Sequence, residues 1–217
     1  KEFEFYFETL EIRSRGSMGN IVTKYPIKTV KLAEKGKSTL ANRKLWFDTT
    51  YGRLNEDGNG LALGDFEGDD KLLVIYNDGN YEITGQELLQ RFDPDQVKLI
   101  EKFNPESVIT AVYLDGDKLQ YNVKRFRIET NTLNSKFLFI KDGANNKLMA
   151  VTTDPEPVLS IQTGRGSQIH GAKIKLYKVV DIMGWKAIGN KLADYAKSDQ
   201  MDWVRPQEPG VQGELFS

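Results

Sequence analysis

Four groups of cations stand beside glycines or at strand spacing, and the chemistry they suit is contact with phosphate. Arg13 and Arg15 sit next to Gly16 and Gly19. Glycines let a backbone come close to a phosphate and present its N–H groups, and the two guanidinium groups add charge. Lys24 and Lys28 are four apart, so a strand would place them on one face. In Lys124-Arg125-Phe126-Arg127, the alternation sets Arg125 and Arg127 opposite Phe126. Lys173 and Lys175 alternate with Ile174 and Leu176. Such cations release counterions on binding and read charge and shape rather than base sequence. Each group also has a plainer meaning. Arg13 to Gly19 reads equally as a solvated hairpin loop, the lysine pairs as outward strand faces, and one cation of Lys124, Arg125 and Arg127 as an ion-pair partner of Glu129.

Other chemistries are poorly supplied. The 217 residues contain no cysteine and one histidine, His170. That excludes a disulfide scaffold, a thiolate zinc site and a cysteine nucleophile, and it argues against a Ser-His-Asp hydrolase. Asn55-Glu56-Asp57-Gly58-Asn59-Gly60 imitates the start of a calcium loop, but Phe66 stands where a bidentate Glu is needed, so a turn is expected. No nucleophile, base and metal set can be assembled, and neither a catalytic residue nor a cofactor is expected. No apolar run approaches the ~20 residues of a membrane span. Glu2, Glu4 and Glu8 interrupt the N-terminal aromatics, against a signal peptide. The absence of cysteine fits a cytoplasmic protein.

The formal net charge is -1, but it is unevenly distributed. Residues 13 to 44 hold nine Lys or Arg against one acid, whereas residues 45 to 107 hold five against fourteen. Residues 118 to 147 and residues 158 to 197 each hold seven against two. A fold that gathered the basic segments on one edge would carry a strong local positive field despite the neutral total.

The elements that must position these cations are strands. Period-two alternation runs through Phe3, Phe5 and Phe7, which are expected in a core. Short apolar runs, Lys71 to Tyr76, Val108 to Tyr113 and Lys136 to Ile140, read as half-buried strands. Asp57-Gly58, Asp78-Gly79, Asp115-Gly116 and Asp142-Gly143 are hairpin signals, since glycine takes the positive φ of primed turns. Thr84 to Arg91, Pro94 to Phe103 and Trp185 to Ala196 look helical. An apolar strand, an Asp-Gly turn and a polar or basic strand recur, which predicts an all-β, propeller-like array of roughly four or five blades. Residues 1–197 are expected to form that domain and residues 198–217 an acidic, flexible tail.

The segment Arg13-Ser14-Arg15-Gly16-Ser17-Met18-Gly19-Asn20-Ile21-Val22-Thr23-Lys24-Tyr25-Pro26-Ile27 resembles the C-terminal domain of the A subunit of bacterial type IIA topoisomerases, DNA gyrase and topoisomerase IV. The similarity continues through Gly52-Arg53-Leu54-Asn55, Tyr121-Asn122-Val123-Lys124-Arg125-Phe126 and Gly184-Trp185-Lys186-Ala187-Ile188-Gly189-Asn190, and is nearest to the Bacteroidetes form. It implies a β-pinwheel whose outer rim binds and bends duplex DNA for a strand-passing core carrying the catalytic tyrosine elsewhere. It also implies a fragment lacking the first blades, in keeping with the start at Lys1. The implied partners are double-stranded DNA, the topoisomerase core and the B subunit, in a bacterial cytoplasm at the nucleoid, without a membrane. Gyrases of this family carry a Gln-Arg-Arg-Gly-Gly-Lys-Gly box. Here Arg15, Gly16 and Gly19 match it and four positions do not, which favours topoisomerase IV over a wrapping gyrase. The tail sequence Gln212-Gly213-Glu214-Leu215-Phe216 resembles the Gln-x-x-Leu-Phe peptide that docks on the replication sliding clamp, with Gln212, Leu215 and Phe216 as contacts; an inert tail is the other expectation. A protein-interaction propeller with weak or no DNA binding is the alternative function.

Overall fold

The computed structural model describes residues 5–6, 10, 13–30, 42–163, 170–194 and 200–204. The chain divides into two compact units, residues 1–39 and 40–217. The described part of the first unit contains no strand or helix. Lys24 and Lys28 are exposed but do not share a strand face as expected. Pro26 lies between them and lacks the N–H that a ladder requires. Phe5 is half-buried, while Phe3 and Phe7 fall outside the described residues.

Among the described residues the second unit is built from four sheets, antiparallel except for one short parallel strand. In the first, β1 (Arg43–Asp48) lies between β2 (Arg53–Asn55) and β3 (Leu61–Phe66). The second contains β4 (Leu72–Tyr76), β5 (Asn80–Thr84) and β6 (Val97–Lys102). The third contains β7 (Ile109–Asp115) and β8 (Gln120–Phe126), and between β8 and β10 (Lys147–Thr152) the chain forms β9 (Lys136–Leu138). The fourth contains β11 (Val158–Thr163) and β12 (His170–Lys175). A single helical turn, α1 (Leu176–Val179), then leads to β13 (Ile182–Met183), β14 (Asn190–Asp194) and β15 (Gln200–Trp203).

One rule orders all four sheets. Each begins with an antiparallel pair, and the third strand folds back beside the first: β3 on β1, β6 on β4, β10 on β7 and β15 on β11. In the first three sheets the edge beyond the second strand is filled by a segment inserted from the following sheet. Thus β9 pairs with β5, β14 pairs with β8, and Arg91 makes an isolated bridge to Arg53 of β2. The short parallel strand β13 also joins β8. Strands β3, β6, β10 and β15 touch in succession, so they line the centre. The outer edges are therefore β2 with Arg91, then β9, β14 and β12. This is the bladed all-β arrangement expected from the recurring strand and turn pattern, with four blades among the described residues.

Burial explains the apolar runs. Leu72, Val74 and Tyr76 of β4 pack against Leu45, Phe47 and Phe66 of the first sheet. Leu73 and Ile75, on the other face, pack with Ile109, Ala111 and Tyr113 of the third. Val112, Val123 and Leu159 continue the core into the fourth sheet. The strand β4 is thus buried on both faces rather than half-buried, because its sheet is sandwiched between the first and the third. Each fully buried aliphatic or aromatic side chain contributes roughly 1.5 to 3 kcal/mol.

The helical expectations fail. Pro94 to Phe103 contains β6, Trp185 to Ala196 contains β14, and Thr84 to Arg91 contains the end of β5 and the Arg91 bridge. Helices this short have little stability of their own, and pairing with a sheet edge outweighs their propensity. Gly79 carries the positive φ expected of its hairpin, +81°, and its N–H donates to the Tyr76 carbonyl at 3.0 Å. In the β7–β8 loop the positive φ falls on Leu119 instead of Gly116. Asp142-Gly143 makes no hairpin, because β9 and β10 belong to different sheets. The Asn55 loop is a turn: Asn55 Oδ1 accepts the N–H groups of Asp57 and Asn59. The boundary of the tail also needs correction. β15 lies within residues 198–217, pairs with β11, and its Trp203 indole donates to the Val151 carbonyl at 3.0 Å. No helix among the described residues is long and apolar enough to cross a membrane.

Candidate nucleic-acid interface

The structure separates the cations that looked alike in sequence. Lys124 is wholly buried on β8. Its ammonium donates to the carbonyls of Phe139, Trp185 and Ala187 at 2.7, 2.6 and 2.6 Å, which uses all three of its protons. It also lies 4.9 Å from the centre of the Phe126 ring. Burial lowers its pKa to about 8. Arg125 is buried as well; it donates to Thr110 Oγ1 and to the carbonyls of Tyr177, Val180 and Pro155. Lys124 is not placed to meet a phosphate and is removed from the expected contact set; Arg125 lines an open cleft, but its guanidinium is engaged by these four acceptors. The physical reason is that β8 has strands on either side and a packed sheet against each face. The suggested ion pair with Glu129 is replaced by backbone carbonyls.

Arg127 is exposed and its Nε donates to the Glu106 carbonyl at 3.2 Å. It borders an open cleft of about 460 Å³ with Asn104, Ser107 and Thr153. Lys173 and Lys175 are exposed on the same face of β12. In the first unit, Arg13, Arg15, Gly16 and Gly19 are all exposed. Arg15 and Gly16 occupy a turn closed by the Ser17 N–H on the Ser14 carbonyl at 3.0 Å, and the two serine hydroxyls are 2.8 Å apart. Nothing lies within 4 Å of the position a Cβ would take at either glycine, so both leave open space beside the guanidinium groups. His170 begins β12. Gln212, Leu215 and Phe216 lie outside the described residues.

Topology adds cations that spacing did not single out. Arg53 and Arg91 are bridged and exposed at the outer edge of the first sheet. Exposed Lys136 is on the outer strand of the second sheet, β9, and exposed Lys191 on that of the third, β14. Lys186, in the loop before β14, is exposed and its ammonium lies 5.1 Å from the Trp185 ring centre. Every sheet therefore carries at least one exposed cationic residue on its outermost strand. No local pattern reveals this, since β9 and β14 reach their sheets from the following blade. Among the described residues no cluster of acidic or histidine side chains is suited to hold a metal ion.

A bladed β domain with a cationic outer edge is the class that fold and surface define. The family model for the topoisomerase C-terminal domain of Bacteroidota matches residues 53–198, and the chain belongs to that family. Among solved structures, the crystal structure of the C-terminal domain of DNA topoisomerase IV is similar, with 14% sequence identity and a TM-score of 0.54. The match covers 77% of this chain and 63% of that one, so the chain spans a little under two thirds of the solved domain. The likeness establishes the β-pinwheel fold. No curated protein sequence matches the chain.

Proposed function

We propose that this domain is a non-catalytic part of a type IIA topoisomerase A subunit, and that it holds duplex DNA without sequence preference against its outer edge. The observation that carries this is the presence of exposed cations on the outermost strands, Lys173, Lys175 and Lys191 among them. Phosphate contact there fixes a duplex by charge and shape. A curved edge also favours bent DNA, and bending 20 to 30 base pairs smoothly costs on the order of 1 to 6 kcal/mol, which the added contacts offset. The domain would present the transported segment to a core and B subunit in the cytoplasm, at the nucleoid. The departure of Arg13 to Gly19 from the wrapping box supports topoisomerase IV rather than gyrase.

Fluorescence anisotropy with a labelled duplex across a salt series tests the proposal. Binding should weaken with a log-log slope near -0.9 for each phosphate neutralised, and the slope should shrink in Arg13→Ala/Arg15→Ala. No binding at low salt would refute it and leave a protein-interaction role. A ligation assay on a nicked circle separates the two enzymes: an unchanged linking number supports topoisomerase IV, and a shifted one gyrase.

A further inference from the structure

The outer-edge cations differ in what stands across from them. Arg53 on β2 is registered opposite Asp48 on β1, and Arg53 helps hold the Asp48 carboxyl below its usual range, after the hydrogen bonds from the Tyr51 and Thr50 N–H groups. Its bridge partner Arg91 has Asp93 two residues on. Lys136 on β9 is registered opposite Glu82 on β5. The Lys136 ammonium lies inward over the Tyr76 ring, 3.9 Å from its centre, and the Tyr76 hydroxyl donates to Glu82. Both sheets are drawn largely from residues 45 to 107, which hold five cations against fourteen acids.

The third and fourth sheets present the opposite arrangement. Lys191 on β14 is registered opposite the neutral Asn122. Lys173 and Lys175 on β12 stand opposite Ser160 and Val158. Lys178 and Lys186 are exposed nearby in sequence. Among the described residues the carboxylate ion-paired with this set is Asp194, on Lys191 at 2.6 Å, with both side chains more than half exposed, while Asp202 lies beyond Ser160 on β15. An exposed pair of that kind is worth about 0 to 1 kcal/mol and yields readily to a phosphate.

We infer that DNA follows only one arc of the outer edge, the β14 and β12 side marked by Lys191, Lys173 and Lys175, and that the first two sheets are screened from it by their own carboxylates. This rests on the proposed DNA-binding function and names the part of the edge that performs it. A polyanion meeting Asp48 or Glu82 loses much of what Arg53 or Lys136 would supply, because like charges at the same distance oppose the attraction.

Two triple variants of the full chain test the inference by salt-dependent anisotropy. Lys173→Ala/Lys175→Ala/Lys191→Ala should flatten the log-log slope by up to about 2.7, at roughly 0.9 per lost phosphate contact. Arg53→Ala/Arg91→Ala/Lys136→Ala should leave the slope unchanged. All six positions are exposed, and melting curves check that both variants fold. Glu82→Gln, which removes the carboxylate opposite Lys136, should steepen the slope by up to about 0.9. Equal losses in the two triples would mean that the whole edge binds, and loss only in the second would place DNA on the first two sheets. Either result overturns the arc but retains the DNA-binding function. Absence of wild-type binding would overturn both.

Discussion

The ammonium of Lys124 holds the carbonyl of Trp185 at 2.6 Å, joining β8 to the loop that delivers β14 from the next blade. The same ammonium takes Ala187, and the hydroxyl of Tyr113 donates to Ile188 at 2.7 Å. Gly189 then turns the chain at φ +94°, where a Cβ would stand 2.5 Å from the Val123 carbonyl. A motif of the family resemblance, Gly184 to Asn190, thus anchors an exchanged strand.

Lys124→Met should show this. It removes three hydrogen bonds while keeping an apolar stem of similar length. The cost should be on the order of 3 kcal/mol, because carbonyls that lose a charged donor are left in a dry site. Urea denaturation measures the loss. Hydrogen exchange should quicken first in residues 185–194, ahead of β11 and β15. Uniform quickening would refute the role as a strand anchor.

The same burial predicts an alkaline rise in stability. Lys124 falls from an ordinary 10.5 to about 8, since its charged form is desolvated. Between those values the unfolded chain binds a proton that the folded chain has released, so stability increases with pH. Burial shifts Tyr81 and Tyr113 from 10.0 up to about 12. There the folded chain keeps protons that the unfolded chain loses, so stability falls with pH above about 10. Denaturant midpoints should climb above pH 8 and turn over near pH 10, and Lys124→Met should abolish the climb alone.

The end of the folded unit can be located by truncation. Removal of residues 205–217 should leave the melting temperature unchanged. Removal from residue 198 onward deletes β15 and the Trp203 hydrogen bond to Val151, and exposes Leu159, which is fully buried. That cut should lower the melting temperature by several degrees, about 2 to 4 °C for each kcal/mol lost in a chain this size. Equal melting of the two truncations would refute the structural role of β15.

The Gln212 to Phe216 peptide makes its own prediction. Immobilised full-length chain should capture purified sliding clamp, and Leu215→Ala/Phe216→Ala should abolish capture, because an apolar pair carries most of the energy in such anchors. Equal recovery with both chains would show that the tail is inert toward the clamp.

The sequence by itself determined the features that depend on near neighbours. The short apolar runs Leu72 to Tyr76 and Ile109 to Tyr113 specified strands, Asp78-Gly79 specified a hairpin, and the absence of cysteine and all but one histidine removed whole classes of chemistry. The Arg13 loop, Lys173 and Lys175 were legible as solvent-facing cations because no partner is needed to make them so. Tertiary structure decided the rest. Lys124 and Lys173 both lie in alternating segments and look equivalent locally. Lys124 is buried because β8 receives β14 and the Trp185 carbonyl from 61 residues along the chain, while Lys173 remains outside because β12 is an edge. The same exchange of strands drew the helical patterns of Thr84 to Arg91 and Trp185 to Ala196 onto sheet edges and set Lys136 opposite Glu82. Burial and charge pairing across a sheet are properties of strands brought together from distant positions, and no window along the chain contains both partners.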